Sequence, residues 1–594
     1  MTFDLIVRDG LWFDGTGAEP RRATLGIKDG RVAEVAFGPL DETDCPEIID
    51  AAGKWVTPGF VDIHTHYDAE VLLNPGLDES VRHGVTTIVL GCCSMSTVYA
   101  SNEDAADLFS RVEAVPRKHV LAALEEFRTW DDPEGYVKAI DALPLGPNVT
   151  SFLGHSDLRT AVLGLGRATN TWTVPSRAEL NRMAEMLGRA LDAGMLGMSG
   201  MDSAIDKLDG DRYRSRALPS TYAWWHERWR LIDVLRKHDR LLQSAPNVKN
   251  PLTAVMFFAA SGNRFLRRGA VPISLLVVAD GKSAPGADLV LRGTAAVGNA
   301  VFGSKVKFQH LPVPFTLYSD GIDLPVFEEF GAGTAALHLR DQLQRNELLA
   351  DENYRRKFRR EFLLKRHMPG LWHKDFHDAT IVECPDATLV GKTFGQIADE
   401  RGLHSLDVFL DVLVANGEKN VRWTTTVGNH RPAVLDKIAT DPNVQMGFSD
   451  AGAHLRNMAF YNFALRFLKR MHDAERAGTP VLSLGAAVHR LTGELGSWFG
   501  LDAGYLREGD RADFVVIDPA GLDDSLAEYH EAPAPFFGGL SRMVNRNDRA
   551  VVATAVGGKI VFANGKFVDG YGRTAQTGRY LKAGVKLPAA GATR

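Results

Sequence analysis

The sequence has few cysteines and no long apolar run. Its four cysteines are Cys45, Cys92, Cys93 and Cys384, and the adjacent pair cannot easily adopt normal disulfide geometry with each other. This usage suits a reducing cytosol. No uncharged run approaches the length of a bilayer span, and the amino terminus shows an alternating strand pattern instead of a basic segment followed by an apolar one. We therefore expect a cytoplasmic protein that is neither exported nor inserted in a membrane.

The sequence also lacks an excess of basic charge. Its formal net charge is -6 at pH 7 and its pI is near 6.3, with lysine and arginine scattered except around 355–366. Nucleic-acid binding needs a basic surface, so nucleic acid is not an expected partner.

What is present is a typical globular composition over a long chain. The protein has 594 residues, of which 45% are hydrophobic and 24% are charged. This length exceeds that of one ordinary hydrophobic core, so we expect one large catalytic domain and a smaller unit.

The two ends of the chain share the texture of short β-strands. Segments 4–8 and 31–35 alternate near an Asp-Gly turn, and 512–518 and 551–556 repeat the pattern before a hairpin at Asn564-Gly565. We expect 1–57 and 495–580 to form one small β-sandwich domain.

Between the ends, apolar strand candidates alternate with amphipathic stretches such as 178–193 and 225–238. This repeat predicts parallel strands with crossover helices, and their number approaches that of an eight-stranded barrel. The sequence therefore predicts an α/β fold, a TIM (β/α)8 barrel over 58–494. The charged segment near 326–400 is interpreted as an insertion, and 581–594 as a flexible tail.

The sharpest chemical motif is Asp62-Ile63-His64-Thr65-His66 at the end of an apolar run. Residues two apart on a strand point to the same side, so His64 and His66 can place both imidazoles in one pocket. Such a pair is a ready seat for Zn²⁺ or another divalent ion. The alternative is two surface histidines in a loop.

Two further strand ends carry possible ligands. VTTIVLGCC ends in Cys92 and Cys93, of which one thiolate would be a strong metal ligand, although free cysteine is also a common core residue. MGFSDAGAH places Asp450 after another apolar run, where it could bind metal and move a proton as general base and acid. The alternative for Asp450 is a turn former.

Weaker candidates end other strand-like runs or lie close to them. His155 and His310 could be a ligand or a catalytic partner, and the alternative for each is a structural histidine. Possible substrate-binding residues are Arg159, Arg216, Ser220, Tyr222 and His454. An arginine at such a position could hold a carboxylate by a bidentate pair, or form only a surface salt bridge.

Together these motifs resemble the D-aminoacylase (N-acyl-D-amino-acid deacylase) branch of the amidohydrolase superfamily. The similarity runs through VTPGFVDIHTHYDAE, LGHSDLR, LPSTYA, VGKTFGQIADERG, FSDAGAH and LREGDRADFVVIDP, and so touches most of the chain. It implies a barrel flanked by a β-sandwich from both termini, with one or two metal ions, usually zinc.

The resemblance also implies roles for individual residues. His64 and His66 match the paired ligands, Cys93 the ligating cysteine and Asp450 the catalytic aspartate, while Cys92 falls where the family commonly has Asn. The family supplies a histidine from strand five and another from strand six. His310 is a candidate for the second, but the strand-five window LLQSAPNV has none, which leaves open a site with a single ion.

We therefore predict a metal-dependent hydrolase that cleaves a linear amide of a small molecule, with Asp450 moving the proton and His155 helping to polarise the carbonyl. Cys93 as a covalent nucleophile is a rival role for that residue. Two other functions stay open, a cyclic amide hydrolase or deaminase on the same scaffold, and a non-catalytic assembly protein that has lost the metal. A homo-oligomer is possible.

Overall fold

The middle of the chain alternates short apolar strands with helices that bury one face, and the strands pair in parallel. The structure is a computed structural model that describes residues 2–109, 114–247, 251–264, 269–365, 368 and 370–584. Eight parallel strands, three of them interrupted by a single residue, form the barrel. In chain order they are Phe60–Asp62 with His64–Thr65, Val85–Leu90, Asn148–Ser151 with Leu153–Gly154, Gly197–Met201, Leu241–Ala245, Pro272–Leu275, Lys305–His310, and Val444–Met446 with Phe448–Ala451.

The ring of strands is closed between its last and first members. Barrel strand eight pairs in parallel with barrel strand one, so that Phe448 lies beside His64. Because all eight strands run the same way, their carboxyl ends meet at one mouth, where active sites of such barrels are built.

Helices surround the barrel and close its other end. Those outside the segment between strands seven and eight are Glu70–Leu73, Asp78–Val81, Asn102–Leu108, Arg117–Phe127, Pro133–Asp141, His155–Leu163, Leu165–Ala168, Arg177–Asp192, Trp225–Lys237, Pro251–Ser261, Ala287–Phe302, Phe463–Arg476, Leu484–Leu491 and Gly493–Phe499. Leu495 and Phe499 of the last helix pack with Val61, Ile63 and Phe152 of the barrel strands in one buried cluster. Apolar side chains therefore fill this end of the barrel in the described part of the chain, and the carboxyl ends of the strands form the other end.

Both termini build one nine-stranded sheet. Its strands are Leu5–Trp12, Arg21–Lys28, Arg31–Ala36, Ile48–Asp50, Trp55–Pro58, Phe514–Ile517, Val551–Val556, Lys559–Ala563 and Lys566–Phe567. The antiparallel pair of Trp55–Pro58 with Phe514–Ile517 joins the amino-terminal and carboxy-terminal halves. Leu5, Leu25 and Phe514 belong to a core formed by the sheet's own strands, whereas Trp55 and Val515 belong to the main core that includes barrel residues.

The segment between barrel strands seven and eight carries its own elements. Three antiparallel strands, Phe315–Asp320, Thr380–Glu383 and Arg422–Gly428, form a small sheet. The helices of this segment are Gly331–His338, Gln342–Ala350, Glu352–Lys365, Phe394–Arg401, Ser405–Asn416 and Pro432–Ala439. The inserted elements thus extend on both sides of 326–400, because the sheet needs strands from before and after the charged helices.

A hairpin of the carboxy-terminal region, His530–Ala534 with Leu540–Val544, meets the loop after barrel strand eight. Met543 N donates to Leu455 O at 2.7 Å, and Arg456 binds Glu531 of the hairpin at 2.8 Å. Within the described part of the chain, no helix combines the length and apolar character that a membrane span requires.

Candidate metal centre

His64 and His66 lie side by side at the end of barrel strand one. Thr65 between them turns to the other side, where its Oγ1 donates to Val89 O at 2.7 Å. The two imidazole centroids are 5.3 Å apart, and both side chains are buried. Burial lowers the pKa of His64 to about 4, so its ring is neutral at neutral pH, as a metal ligand must be.

Cys93 reaches the histidine pair from the turn after barrel strand two. Its Sγ lies 3.3 Å from Nε2 of His64, and one ligand atom each of His64, His66 and Cys93 lies within 4.8 Å of the others. The turn depends on Gly91 at φ +72°, where an added Cβ would meet Phe152 O at 2.2 Å. Cys92 turns away, with its Sγ 3.8 Å from the carbonyl oxygens of Ile63 and Val89.

Asp450 completes the group from the end of barrel strand eight. Its Oδ1 lies 3.1 Å from Nε2 of His66 and 3.6 Å from Nε2 of His64, and its Oδ2 lies 3.4 Å from Nε2 of His454. Burial alone raises the pKa of this carboxyl, but hydrogen bonds and charge from His454 and His66 outweigh it, so the pKa lies well below its usual value. The structure thus brings His64, His66, Cys93, Asp450 and His454 together.

Two buried amides hold His64 from behind. Gln309 Oε1 lies 2.8 Å and Gln243 Nε2 lies 2.9 Å from its Nδ1. Gln243 also accepts from the backbone N–H of Cys93 at 3.3 Å. No motif in the sequence marks Gln243 or Gln309 as part of the site. Their position near the ends of strands five and seven was the available signal.

The structure corrects the expectation for His310. Barrel strand six is Pro272–Leu275, whereas His310 is the last residue of strand seven. Its Nδ1 lies 2.7 Å from the carbonyl oxygen of Val278, and it is not part of the ligand cluster. Lys305–His310 resembles a sixth strand in the sequence because the short strand Pro272–Leu275 before it carries no polar motif. Strands five and six therefore both lack a histidine.

His155 and Arg159 are engaged in a buried ion-pair cluster. Nε2 of His155 lies 2.8 Å from Oε1 of Glu227, and the Arg159 guanidinium binds the other oxygen of the same carboxylate. All three side chains are at most 1% exposed. Their contacts are with each other and with backbone carbonyls, not with His64, so the structure favours the structural alternative for both predicted residues.

The remaining predicted substrate residues make local contacts. Ser220 Oγ accepts from Met201 N at 2.7 Å and donates to Met201 O at 2.6 Å, while the Tyr222 hydroxyl accepts from Ala217 N at 3.2 Å. Arg216 donates to Thr169 Oγ1 at 3.2 Å. These side chains shape the loop after barrel strand four.

That loop contributes a residue that sequence reasoning missed. Asp206 is buried, and its electrostatic neighbours include His454 and Asp450. Burial raises the pKa of Asp206 to about 7. No motif marks this residue, since it lies in a polar loop without strand periodicity.

A cavity of about 390 Å³ lies where the insertion, the loop after strand eight and the carboxy-terminal hairpin meet. Leu455 and Asn457 connect it in sequence to His454, and Ser541 contributes from the hairpin. Its charged lining contains both signs: Asp209, Arg214, Asp320, Asp323, Glu328, Arg340, Arg345, Lys419 and Arg456. The cavity can thus accept a polar small molecule.

Sequence comparison finds relatives along nearly the whole chain, although no family model matches it. An uncharacterised protein of Mycobacterium tuberculosis is 68% identical over 588 residues, which are 98% of this chain and 96% of that protein. The N-acyl-D-aspartate deacylase of Alcaligenes xylosoxydans xylosoxydans is 24% identical over 540 residues, 88% of this chain and 87% of the deacylase. The relationship therefore includes both the barrel and the β domain.

Two solved structures show the same fold. D-aminoacylase, which defines a subset of the amidohydrolases, matches with a TM-score of 0.62 at 21% identity over 98% of this chain and all of that one. The N-acyl-D-glutamate deacylase of Bordetella bronchiseptica, solved with zinc and a phosphonate that mimics the tetrahedral intermediate, matches with a TM-score of 0.62 at 22% identity and covers 98% and 100% of the two chains. The predicted fold class, a TIM barrel with a β domain from both termini, is confirmed.

Proposed function

Because the chain belongs to the D-aminoacylase branch of the amidohydrolase superfamily, whose members hydrolyse carbon–nitrogen bonds other than peptide bonds, we propose that it removes the acyl group from an N-acyl amino acid. The single observation that carries this proposal is the convergence of His64, His66, Cys93 and Asp450 at the barrel mouth. A cytoplasmic location is part of the proposal.

The donor set fits one zinc ion. Two imidazole nitrogens, a thiolate sulfur and a carboxylate oxygen are ligands that zinc accepts in tetrahedral sites. His64, His66 and Cys93 would hold the ion, with Asp450 at its side. Since strands five and six offer Gln243 and Ser274 but no histidine, we propose one ion in this chain rather than two.

The chemistry divides between the ion and Asp450. When bound, zinc would supply Lewis acidity, which polarises a carbonyl oxygen and makes a water more acidic. Asp450 accepts the proton of the attacking water and then donates it to the departing nitrogen, so that a carboxylate and an amine leave. His454 holds the second carboxylate oxygen and fixes the direction of Oδ1. His155 has no part in this scheme, because Glu227 engages its Nε2.

Two surroundings of different polarity lie near the metal cluster, an apolar one beside Cys93 and the charged cavity that includes Leu455 and Asn457. Cys93 belongs to an apolar cluster with Met95, Met201, Leu208 and Ala245, from the loops and ends of strands two, four and five. On the side of the insertion, the charged cavity offers hydrogen-bonding groups. We propose that an apolar acyl chain lies against the apolar cluster and the polar amino-acid part faces the charged cavity.

A metal assay and an amide panel test the proposal. Purified wild-type protein should contain about one equivalent of zinc and release amine from N-acyl amino acids in preference to a cyclic imide. Asp450→Asn should keep the ion and lose turnover by about 10³-fold, since it removes the proton carrier. Asp473→Asn, the same change on an exposed helix position, is the matched control and should retain full activity.

Two outcomes would contradict the proposal. Wild-type protein without a stoichiometric ion would remove the metal centre and favour the scaffold alternative. Undiminished turnover in Asp450→Asn would remove this residue from the reaction.

A further inference from the structure

Two neighbouring outer helices of the barrel expose an apolar face. These are Pro251–Ser261, after barrel strand five, and Ala287–Phe302, after barrel strand six. On the second helix every exposed residue is apolar or glycine: Leu289, Val290, Gly293, Ala296, Val297, Ala300 and Val301. A surface helix normally turns polar residues outward, and one that is hydrophobic all round is normally covered.

The first helix continues the same face. Leu252 and Val255 are its exposed residues among those described, and Leu252 is 68% exposed. The two charged side chains of the second helix do not mask the face, because Asp288 is buried and Arg292 turns to Asp288 and Asp441, each at 3.2 Å. The face formed by the exposed residues of both helices is called the α-face below.

The size of the α-face fits a protein interface. Its six valine and leucine side chains are each between 46% and 68% exposed. They lie along two neighbouring helices, whereas a monomer rarely exposes a contiguous apolar patch larger than a few hundred Å². A stable interface buries about 800 Å² on each partner, and the α-face would form the apolar centre of one partner's side.

The pattern on the second helix is self-complementary. If two copies cross antiparallel about a two-fold axis near Ala295, Val297 of one copy meets Gly293 of the other, and Val290 meets Ala300. Val290 and Val297 then each face a small residue, as close packing favours, while Leu289 meets Val301 at either end of the contact. A groove of about 440 Å³ lined by Val255, Phe258, Val290, Val297 and Phe302 gives room for the partner's side chains.

From the apolar pattern, the area and this self-complementarity we infer that the α-face is the interface of a homodimer. The two-fold axis crosses the exposed side of the Ala287–Phe302 helix at the level of Ala295, between Gly293 and Val297, and brings the two helices together. The interface lies on the outside of the barrel, so this inference does not depend on the proposed chemistry.

Analytical ultracentrifugation of the full-length protein tests the inference. Wild type at micromolar concentration should sediment at twice the 65.0 kDa of one chain. Val297→Glu places a charge against the partner's apolar surface and should raise the dimer dissociation constant by about 100-fold or more. Leu343→Glu is the matched control, because Leu343 is 76% exposed on a helix of the insertion and should leave the dimer intact.

A thermal melt accompanies each variant, and Val290→Lys serves as a second variant should Val297→Glu fail to fold. Since both valines are about two-thirds exposed in one chain, each variant should melt close to wild type once the concentration effect is removed. Monomeric wild-type protein would overturn the inference. So would a dimer that both charged variants leave unchanged, since its interface would then lie elsewhere.

Discussion

Gln309 Oε1 lies 2.8 Å from Nδ1 of His64, on the side of the ring away from Cys93. A carboxamide oxygen only accepts, so this contact requires a proton on Nδ1 and leaves the lone pair of Nε2 toward the thiol. Gln243 Nε2 approaches the same Nδ1, but one ring nitrogen cannot accept from Gln243 and donate to Gln309 at once. The state that binds an ion through Nε2 is therefore the one that Gln309 holds.

Gln309→Leu should weaken metal binding by about 10- to 100-fold, because such partners fix the tautomer and orientation of a ligating histidine. Competition with a chromophoric chelator measures the affinity, and Gln309→Glu, which keeps the acceptor oxygen, should restore most of it.

Gln445→Leu provides the matched control for this prediction. Gln445 lies opposite Gln309 in the pairing of strands seven and eight and is equally buried. Its side-chain oxygen, however, accepts a hydrogen bond from the Ser274 hydroxyl and not from His64. An equal loss of affinity in both leucine variants would show that a general disturbance of the barrel, not the contact to His64, sets the affinity.

The cysteine pair permits a second test. Cys93→Ser replaces a sulfur that lies 3.3 Å from His64 and should lower zinc content at a fixed chelator concentration by more than tenfold. Cys92→Ser changes a side chain packed in an apolar cluster with Ile63 and Val89, so it should retain the ion and lose about 1–2 kcal/mol of stability. Equal zinc content in the two variants would contradict the assignment of Cys93 as the ligand.

Local sequence patterns predict much of the fold and the four residues His64, His66, Cys93 and Asp450 of the site. The period of two in Asp62-Ile63-His64-Thr65-His66 predicts that both imidazoles share a side, because a strand alternates its faces whatever surrounds it. Apolar runs that end in Cys93 and Asp450 predict their meeting, because the carboxyl ends of parallel strands converge at one mouth.

The rest depends on contacts that no local pattern records. His155 follows a strand as His64 does, yet Glu227, 72 residues later, takes its Nε2. Gln309 and His310 are adjacent, and which of them reaches His64 depends on the registry of strand seven, which its pairing with strand six sets. In the insertion between strands seven and eight, Phe315–Asp320 pairs with Arg422–Gly428, about 100 residues later in the sequence. The charged helices between them give no sign of this pairing.

His310 provides a third test against a residue of the cluster. His310→Asn should keep zinc content and turnover, with a loss of about 1–3 kcal/mol from the altered buried hydrogen bond to Val278. His66→Asn should lose zinc, because it removes a nitrogen that faces Asp450 at 3.1 Å. Elemental analysis of both variants after identical dialysis makes the comparison, and loss of zinc in His310→Asn would return this residue to the ligand set.

Glu227 joins His155 and Arg159 inside the protein, and its ionisation makes stability depend on pH. Burial raises the pKa of Glu227, but hydrogen bonds and charge from His155 and Arg159 outweigh it and lower the pKa to about 2, below the ordinary 4.5. A lowered folded-state pKa stabilises the protein above the unfolded value, and this stabilisation is lost as pH falls from about 4.5 toward 2. This lowering of the Glu227 pKa from 4.5 to about 2 corresponds to about 3 kcal/mol of folding free energy above the unfolded-state pKa.

Glu227→Gln should therefore lower the free energy of unfolding by about 3 kcal/mol near neutral pH, since it leaves Arg159 buried without its counter-charge. The difference between wild type and variant should shrink as the pH falls below about 4.5, where the wild-type carboxylate begins to lose its advantage. Urea unfolding of both proteins at several pH values measures it. A difference in unfolding free energy that stays constant with pH would mean that packing, not the charge of Glu227, stabilises this cluster. A loss of zinc from Glu227→Gln near neutral pH that follows its loss of stability would link the cluster to the metal centre.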